Sequence, residues 1–379
     1  MRIYLKITAI LLLFAIIPIP LPIHALDASL SPGAISANAA CLIEAESGRV
    51  LWGKRESRRL PMASTTKIMT AIIALESGIG MDTRIKVPPE AVGIEGSSVY
   101  LRAGETVTLE MLLYALLLCS ANDAAAAIAI AVCGSVEKFV EKMNEKADAL
   151  GLSDTHFCDP HGLSSEGHYT TAHDLARLLA YAMRNESFSA ISGTKLKAFE
   201  REGSGTRQMT NHNRLLRTYE GTLGGKTGFT KKSGRCLATC AERDGLRLIC
   251  VTLNAPSDWS DHAKLYDFGF ENYKRVTIAT RQLSVPVISG TCDTVNVSSE
   301  GVSLFLAQDS QITVKIDAPH FLYAPLKAGQ KVGKILFYRD GVLIHTEPLS
   351  VREDVDAQRY KFNLLEWIIN LFKDIKWKK

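Results

Sequence analysis

The order of apolar and polar positions along the chain predicts an α/β (α+β) protein in several stretches. Ile7 to Ile17 is a short apolar run with no charge behind Arg2 and Lys6, broken by Pro18, Pro20 and Pro22. Its charge, length and breakers describe a secretory signal over residues 1–25, with Ala25 before the expected cleavage point. The run is too short to span a bilayer well. Cys41-Leu42-Ile43 and Val50-Leu51-Trp52 flank a turn at Glu46-Ser47-Gly48 and predict a hairpin. Ile68, Met69, Ile72 and Leu75 recur at helical spacing, so a helix is expected to carry Ser64 and Lys67 and to stop near Gly78. Residues 79–107 read as loops and short strands. Thr108 is placed to cap a buried apolar helix over Leu109–Leu118, with Glu110 in its first turn.

Ser120-Ala121-Asn122-Asp123 interrupts that helix before Ala124–Val132 resumes as an alanine-rich one ended by Gly134. This polar corner has two readings: capping of the second helix by Ser120 or Asn122, or a corner pointing into a site. Amphipathic helices follow at Val136–Leu150 and Thr171–Met183, around a loop at Thr155–Leu163. Residues 190–254 turn to strand character, in which Gly224–Thr230 leads into Cys236–Ala241. A tight Glu242-Arg243-Asp244-Gly245 turn then returns the chain as Leu246–Leu253. The glycines beside Lys226 allow another backbone to approach that strand edge, as an added peptide strand does. Asp261–Tyr273 predicts another amphipathic helix.

From residue 277 short alternating runs (Leu283–Ile288, Val302–Ala307, Gln311–Ile316, Lys334–Tyr338, Val342–Pro348) predict a small all-β domain. The expected organisation is therefore a signal at 1–25, a main domain at 26–276, the β-rich domain at 277–356 and a C-terminal segment at 357–379. In that segment Leu364, Leu365, Ile368, Leu371, Phe372 and Ile375 share one helix face, and lysines crowd the end. This predicts an amphipathic helix lying on the outer face of the cytoplasmic membrane. The exported body would then be peripheral to that membrane.

Composition narrows the function. The 379 residues are 46% hydrophobic and 22% charged, which suits a sizeable globular core. The net charge of +4 resides at the two ends, leaving the body near neutral. A nucleic-acid binder would need a broad basic face, so no nucleic-acid partner is expected. Eight cysteines in an exported chain raise the question of disulfides. Most lie in apolar runs, which favours buried thiols, with one bridge among Cys236, Cys240 and Cys250 left open. His156, His161, His168 and His173 match no common zinc spacing, and no metal site is expected.

The candidate chemistry begins at Ser64-Thr65-Thr66-Lys67. Residues three apart on a helix share a face, so the Lys67 amine can reach the Ser64 hydroxyl, and a neutral amine there can take its proton. Ser-x-x-Lys alone is a weak signal. Followed in order by Ser120-x-Asn122 and by Lys226-Thr227-Gly228, it becomes specific. These three elements resemble the penicillin-recognising serine enzymes. Ala63–Thr70, Thr155–Leu163, Leu223–Leu237, Lys327–Pro348 and the basic tail are similar to the D-alanyl-D-alanine carboxypeptidases, the low-molecular-weight penicillin-binding proteins.

That resemblance implies a β-lactamase/transpeptidase-like fold, with an antiparallel sheet flanked by helices. It implies a serine-type hydrolase that removes the terminal D-alanine from peptidoglycan pentapeptide stems, is acylated by β-lactam antibiotics and uses no cofactor. By implication Ser64 is the nucleophile, Lys67 its base, and Ser120 a proton relay to the leaving D-alanine. Asn122 holds the substrate backbone, Lys226 and Thr227 bind the terminal carboxylate, and Gly228 leaves room for the substrate strand. The N–H groups of Ser64 and Phe229 form the oxyanion hole. Where some members carry an arginine, this chain has His212. No Glu-x-x-x-Asn setting of the kind that drives β-lactamase deacylation follows Asn122. That absence and the β domain favour a carboxypeptidase over a β-lactamase, while intact Ser64, Lys67, Ser120, Asn122 and Lys226 argue against a non-catalytic wall-binding protein on the same fold. A strict transpeptidase is poorly separated from hydrolysis at this level.

Overall fold

Ala39–Glu44 is buried at every position, as a strand covered on both faces must be. In the computed structural model, which describes residues 30–163, 166–201, 205–279, 282–358 and 364–373, it is strand β1. The expected hairpin forms with β2 (Val50–Lys54), Leu42 opposite Trp52. Next come α1 (Lys67–Glu76), a short hairpin of β3 (Arg84–Lys86) and β4 (Thr106–Thr108), α2 (Leu109–Leu118), α3 (Asn122–Cys133), α4 (Val136–Ala149) and α5 (Ala172–Ala182). The β5–β6 hairpin (Leu196–Arg201, Gly205–Thr210) falls within the stretch of strand character expected from residue 190, whereas the sequence pattern does not distinguish α6 (Glu186–Gly193) or the one-turn α7 (Leu215–Thr218). Strands β7 (Thr222–Thr230), β8 (Gly234–Arg243) and β9 (Leu246–Leu253) then lead into α8 (Asp258–Asn272). Asp244 and Gly245 both take positive φ, 51° and 74°, as a two-residue hairpin turn that follows the sheet twist requires.

The main sheet is antiparallel with order β2-β1-β9-β8-β7, so β7 is an edge. Alternation sorts its side chains. Cys41, Ile43, Ile249, Val251, Cys236, Ala238 and Cys240 face the core shared with α1, α2, α3 and α5. Leu42, Leu248, Cys250 and Leu237 face α8, with Leu265 and Tyr266. This explains why the possible bridge does not form: every cysteine is a free thiol. Cys250 lies on the opposite face from Cys236 and Cys240, which are themselves about 13 Å apart along one strand.

Helix starts follow the sequence in part. Thr108 Oγ1 accepts from the Met111 N–H at 3.2 Å, and Thr171 Oγ1 from Asp174 at 3.0 Å. The corner before α3 departs from the capping reading. The N-cap is Ala121, without a side-chain cap, so neither Ser120 nor Asn122 is used that way.

Strand β10 (Tyr273–Ile278) runs straight on from α8, so strand character begins slightly before residue 277. Then come β11 (Gln282–Ile288), β12 (Thr294–Ser298), β13 (Val302–Ala307), β14 (Ile312–Asp317), β15 (Leu322–Tyr323), β16 (Lys331–Arg339) and β17 (Val342–Val351). Six of them form a sheet of order β14-β16-β17-β12-β11-β15, while β10 pairs with β13. Two apolar clusters fill this C-terminal all-β domain, one around Val285, Val297 and Val351, the other around Leu306, Phe337 and Leu349. Helix α9 (Leu364–Lys373) follows. No helix among the described residues is long and apolar enough to cross a membrane.

Candidate active site

Ser64 does not lie on α1 itself. It occupies a 3-10 turn, Ala63–Thr66, that feeds into the helix at Lys67. Ala63 has φ +47°, a left-handed conformation that costs a non-glycine residue on the order of 1 kcal/mol. Side chains tie the turn down: Thr65 Oγ1 donates to the Met62 carbonyl at 2.7 Å and Thr66 Oγ1 to the Ala63 carbonyl at 2.8 Å.

Lys67 is fully buried beneath it. Its Nζ lies 2.9 Å from Ser64 Oγ, 2.7 Å from Asn122 Oδ1 and 2.6 Å from the His161 carbonyl oxygen. No carboxylate is among these partners. Burial first, and then the positive charge of Lys226, hold the Lys67 amine well below the ordinary lysine range. A neutral amine has two N–H bonds and one lone pair. Asn122 Oδ1 and the His161 carbonyl can only accept, so they take the two N–H groups and the lone pair faces the Ser64 hydroxyl.

The corner left without a capping task supplies the next groups. Asn122 donates from Nδ2 to the Glu95 carbonyl at 2.5 Å while its Oδ1 meets Lys67. Asp123 holds the same overlying loop through Ser98 Oγ and the N–H groups of Val99 and Leu101. Ser120 is buried at φ +61°.

Lys226, Thr227, Gly228 and Phe229 lie on edge strand β7. Lys226 is 1% exposed, and its Nζ donates to the Thr227 carbonyl at 2.8 Å. Burial lowers it to about 7. A Cβ at Gly228 would stand 3.1 Å from the Met62 carbonyl oxygen and from the Ser64 and Thr65 nitrogens. Gly228 thus lets β7 lie against the nucleophile turn. Phe229 is 65% exposed at the rim. His212, whose N–H meets the Leu118 carbonyl at 3.2 Å, is open to solvent; desolvation and then Lys226 lower its imidazole.

The loop at 155–163 turns out to be a strap on the site, which the sequence did not disclose. Gly162, at φ +86°, passes so close that a Cβ there would fall 1.9 Å from the Ala63 oxygen. Asp159 Oδ1 accepts from the N–H groups of His161 at 2.9 Å and Gly162 at 2.5 Å, which aims the His161 carbonyl at Lys67. Although burial opposes it, the hydrogen bond from the His161 imidazole 2.9 Å away, then the charges of the His161 and His168 imidazoles and last the Gly162 N–H lower Asp159 to about 2. Thr70 Oγ1 donates to the Pro160 carbonyl at 2.6 Å. His168 Nδ1 accepts the Cys158 N–H at 3.0 Å, so its proton sits on Nε2 and is donated to Thr66 Oγ1 at 2.7 Å. Burial holds His168 at about 4 and therefore neutral. His161 and His168 thus serve the strap; no metal-holding cluster occurs among the described residues.

Comparison with known proteins agrees with this geometry. The model of the D-alanyl-D-alanine carboxypeptidase family matches residues 26–257, and that of the penicillin-binding protein 5 C-terminal domain matches residues 276–357. The D-alanyl-D-alanine carboxypeptidase DacF of Bacillus subtilis is 33% identical over 334 residues, covering 84% of this chain and 86% of the relative. DacA of Escherichia coli K12 is 30% identical over 361 residues, 89% and 88% of the two chains. Penicillin-binding protein 5 of Haemophilus influenzae superposes with a TM-score of 0.70 at 27% identity, covering 86% of this chain and 99% of that structure. A paired Ser64 and Lys67 beneath an Asn122 corner, a lysine-bearing edge strand and both family matches lead to one conclusion: the chain belongs to the D-alanyl-D-alanine carboxypeptidase family.

Proposed function

We propose that this chain is a serine-type carboxypeptidase that removes the terminal D-alanine from peptidoglycan pentapeptide stems through an acyl-enzyme on Ser64. The observation that carries this reading is the buried Lys67 amine 2.9 Å from Ser64 Oγ, where burial and then the charge of Lys226 favour its neutral form. The terminal carboxylate is drawn to Lys226 and Thr227, and the stem lies along the open edge of β7 beside Asn122. Lys67 takes the Ser64 proton as Oγ attacks the carbonyl of the penultimate residue. The oxyanion is received by the N–H groups of Ser64 and Phe229, and the close packing of Gly228 on the Ser64 turn supports that pairing. Ser120 passes a proton to the departing D-alanine amine. Water then completes hydrolysis. A β-lactam enters by the same attack and stays bound because its ring-opened product does not leave.

The residues divide into an export signal at 1–25, a catalytic domain at 26–276, a β domain at 277–356 and a tail at 357–379. The signal lies outside the described residues. The two family matches at 26–257 and 276–357 support the central division. The tail reading rests on α9, whose Leu364, Leu365, Trp367, Ile368 and Ile369 are exposed. An exposed apolar helix of this kind suits attachment to the outer face of the cytoplasmic membrane.

The test is D-alanine release from a pentapeptide ending in D-Ala-D-Ala, paired with mass spectrometry after benzylpenicillin treatment. The folded chain should release D-alanine and gain one adduct on Ser64, and Ser64→Ala should do neither. Rapid penicillin turnover without a lasting adduct would indicate a β-lactamase. Release of D-alanine by Ser64→Ala at the unmodified rate would overturn the assignment.

A further inference from the structure

The β domain carries an apolar face beside the point where the tail leaves it. Strand β15 lies at the sheet edge and pairs in parallel with β11, Val287 opposite Leu322 and Ile288 opposite Tyr323. Alternation turns Leu322 into the core and leaves Ile288 and Tyr323 side by side outside. Phe321 joins them, its ring 5.5 Å from that of Tyr323 and perpendicular to it. These three side chains are 40%, 64% and 45% exposed for Ile288, Tyr323 and Phe321. Pro286, two residues before Ile288 on the same strand face, and Pro325 are exposed as well. The Lys327 charge two residues beyond Pro325 is turned to Asp354, with Nζ 2.8 Å from its carboxylate.

The chain's exit is fixed at this place. The Gln358 N–H donates to the Ser289 carbonyl at 2.8 Å, one residue beyond Ile288, and Thr291 is bonded to Asp356 at 2.9 Å. Helix α9 begins at Leu364, so its start lies within about 20 Å of the Ile288–Tyr323–Phe321 face even with the intervening chain extended. The junction with the catalytic domain is elsewhere: Val276 and Ile278 of β10 pack with Ile335 and Phe337. A domain tethered this closely to an interfacial helix must hold one end near the lipid headgroups. Here that end is the aromatic one. Phe and Tyr suit such a position, since a ring can enter the acyl boundary while the tyrosine hydroxyl stays wet.

We propose that Ile288, Phe321 and Tyr323 form a second membrane contact, on the β domain itself, which rests on the lipid surface beside α9. The inference depends on the tail reading above. Its contribution is apolar insertion, so salt should weaken it little, unlike the lysines of the tail.

Vesicle co-sedimentation of the chain from residue 26, on phosphatidylglycerol/phosphatidylcholine vesicles, tests both readings separately. The paired variant Phe321→Ser, Tyr323→Ser should lower partitioning about tenfold, by a similar factor at low and high salt. Leu364→Glu with Ile368→Glu should lower it more. As a gain-of-signal check, Tyr323→Trp should add a blue-shifted component to the fluorescence on vesicle addition. Acylation by penicillin, which needs none of these residues, verifies folding of each variant. Unchanged partitioning of the paired aromatic variant, with loss in the α9 variant, would overturn this inference and leave the tail reading standing. Unchanged partitioning in both, or no binding by the unmodified chain, would overturn both. A dimer dispersed by the aromatic substitutions would assign the face to a second copy and also overturn it.

Discussion

Lysines in two regions of the molecule show how differently one residue type is used. In the groove, Lys67 and Lys226 are buried, and their partners are hydroxyl, amide and carbonyl oxygens. On the β domain, Lys327 is 70% exposed and paired with Asp354. Burial lowers the first two, because a low-dielectric surround penalises the ammonium form. The hydrogen bond to Asp354 raises the third. What turns a lysine towards its neutral form is therefore the withdrawal of water and the absence of a carboxylate partner, arranged by parts of the chain far apart in sequence. The β domain holds its charges outside an apolar core, where solvent screens them.

That contrast can be broken or sharpened. The largest effect is expected from Lys67→Ala, which should slow acylation of Ser64 by a labelled penicillin about 10³-fold or more, measured by stopped flow. Acylation at the unmodified rate would remove Lys67 from the role of base. Next is Gly162→Ala. The added Cβ cannot coexist with the Ala63 oxygen 1.9 Å away and the φ is left-handed, so the strap must lift from the nucleophile turn. A loss of roughly 3 kcal/mol in urea denaturation, with slower acylation, is expected. Unfolding at the unmodified midpoint would mean the strap yields freely.

A third effect follows from pH. His168 titrates at about 4 in the fold, against the ordinary histidine value of 6.5 when exposed. Between those values the unfolded chain binds more protons. Its contribution to stability is full above pH 6.5 and declines as pH falls towards 4, by roughly 2 kcal/mol at pH 5. His262, buried against Thr239 and Thr252 and lowered to about 3, acts in the same direction. Asp159 adds its loss only below about 3.8. Thermal melts from pH 7 to 4.5 should show this slope, and His168→Asn should flatten part of it; an equal slope in the variant would contradict the assignment. The smallest effect belongs to the β domain. Lys327→Ala should shift the melting temperature by no more than about 1 °C and leave acylation untouched.

Much of the site was legible because its signals are local. Ser64 and Lys67 are one turn apart, Thr108 and Thr171 cap the helices they precede, and Asp244-Gly245 makes the turn its residue types favour. What stayed illegible acts through backbone or through contacts remote in sequence. The His161 group on Lys67 is a carbonyl, which every residue possesses. Gly162 and His168 are unremarkable loop residues until Ala63 and Thr66 lie against them. The two faces of the main sheet, which keep Cys236 and Cys250 apart, depend on strand order.

By itself the sequence determined which side chains were available and how they were spaced over one helical turn or one hairpin, since those distances are set by backbone geometry. It also determined the Ser64–Lys67 pair, the polar corner at Ser120–Asn122, the glycine-flanked Lys226 and the β pattern after residue 277. Only the tertiary structure decided that Lys67 is dry, that Asn122 faces it instead of capping α3, that Gly228 seats β7 on the Ser64 turn and that residues 155–163 strap the whole together. The physical reason is that desolvation and strand-edge placement belong to no single residue. They arise where segments separated by tens to hundreds of positions exclude water from one another.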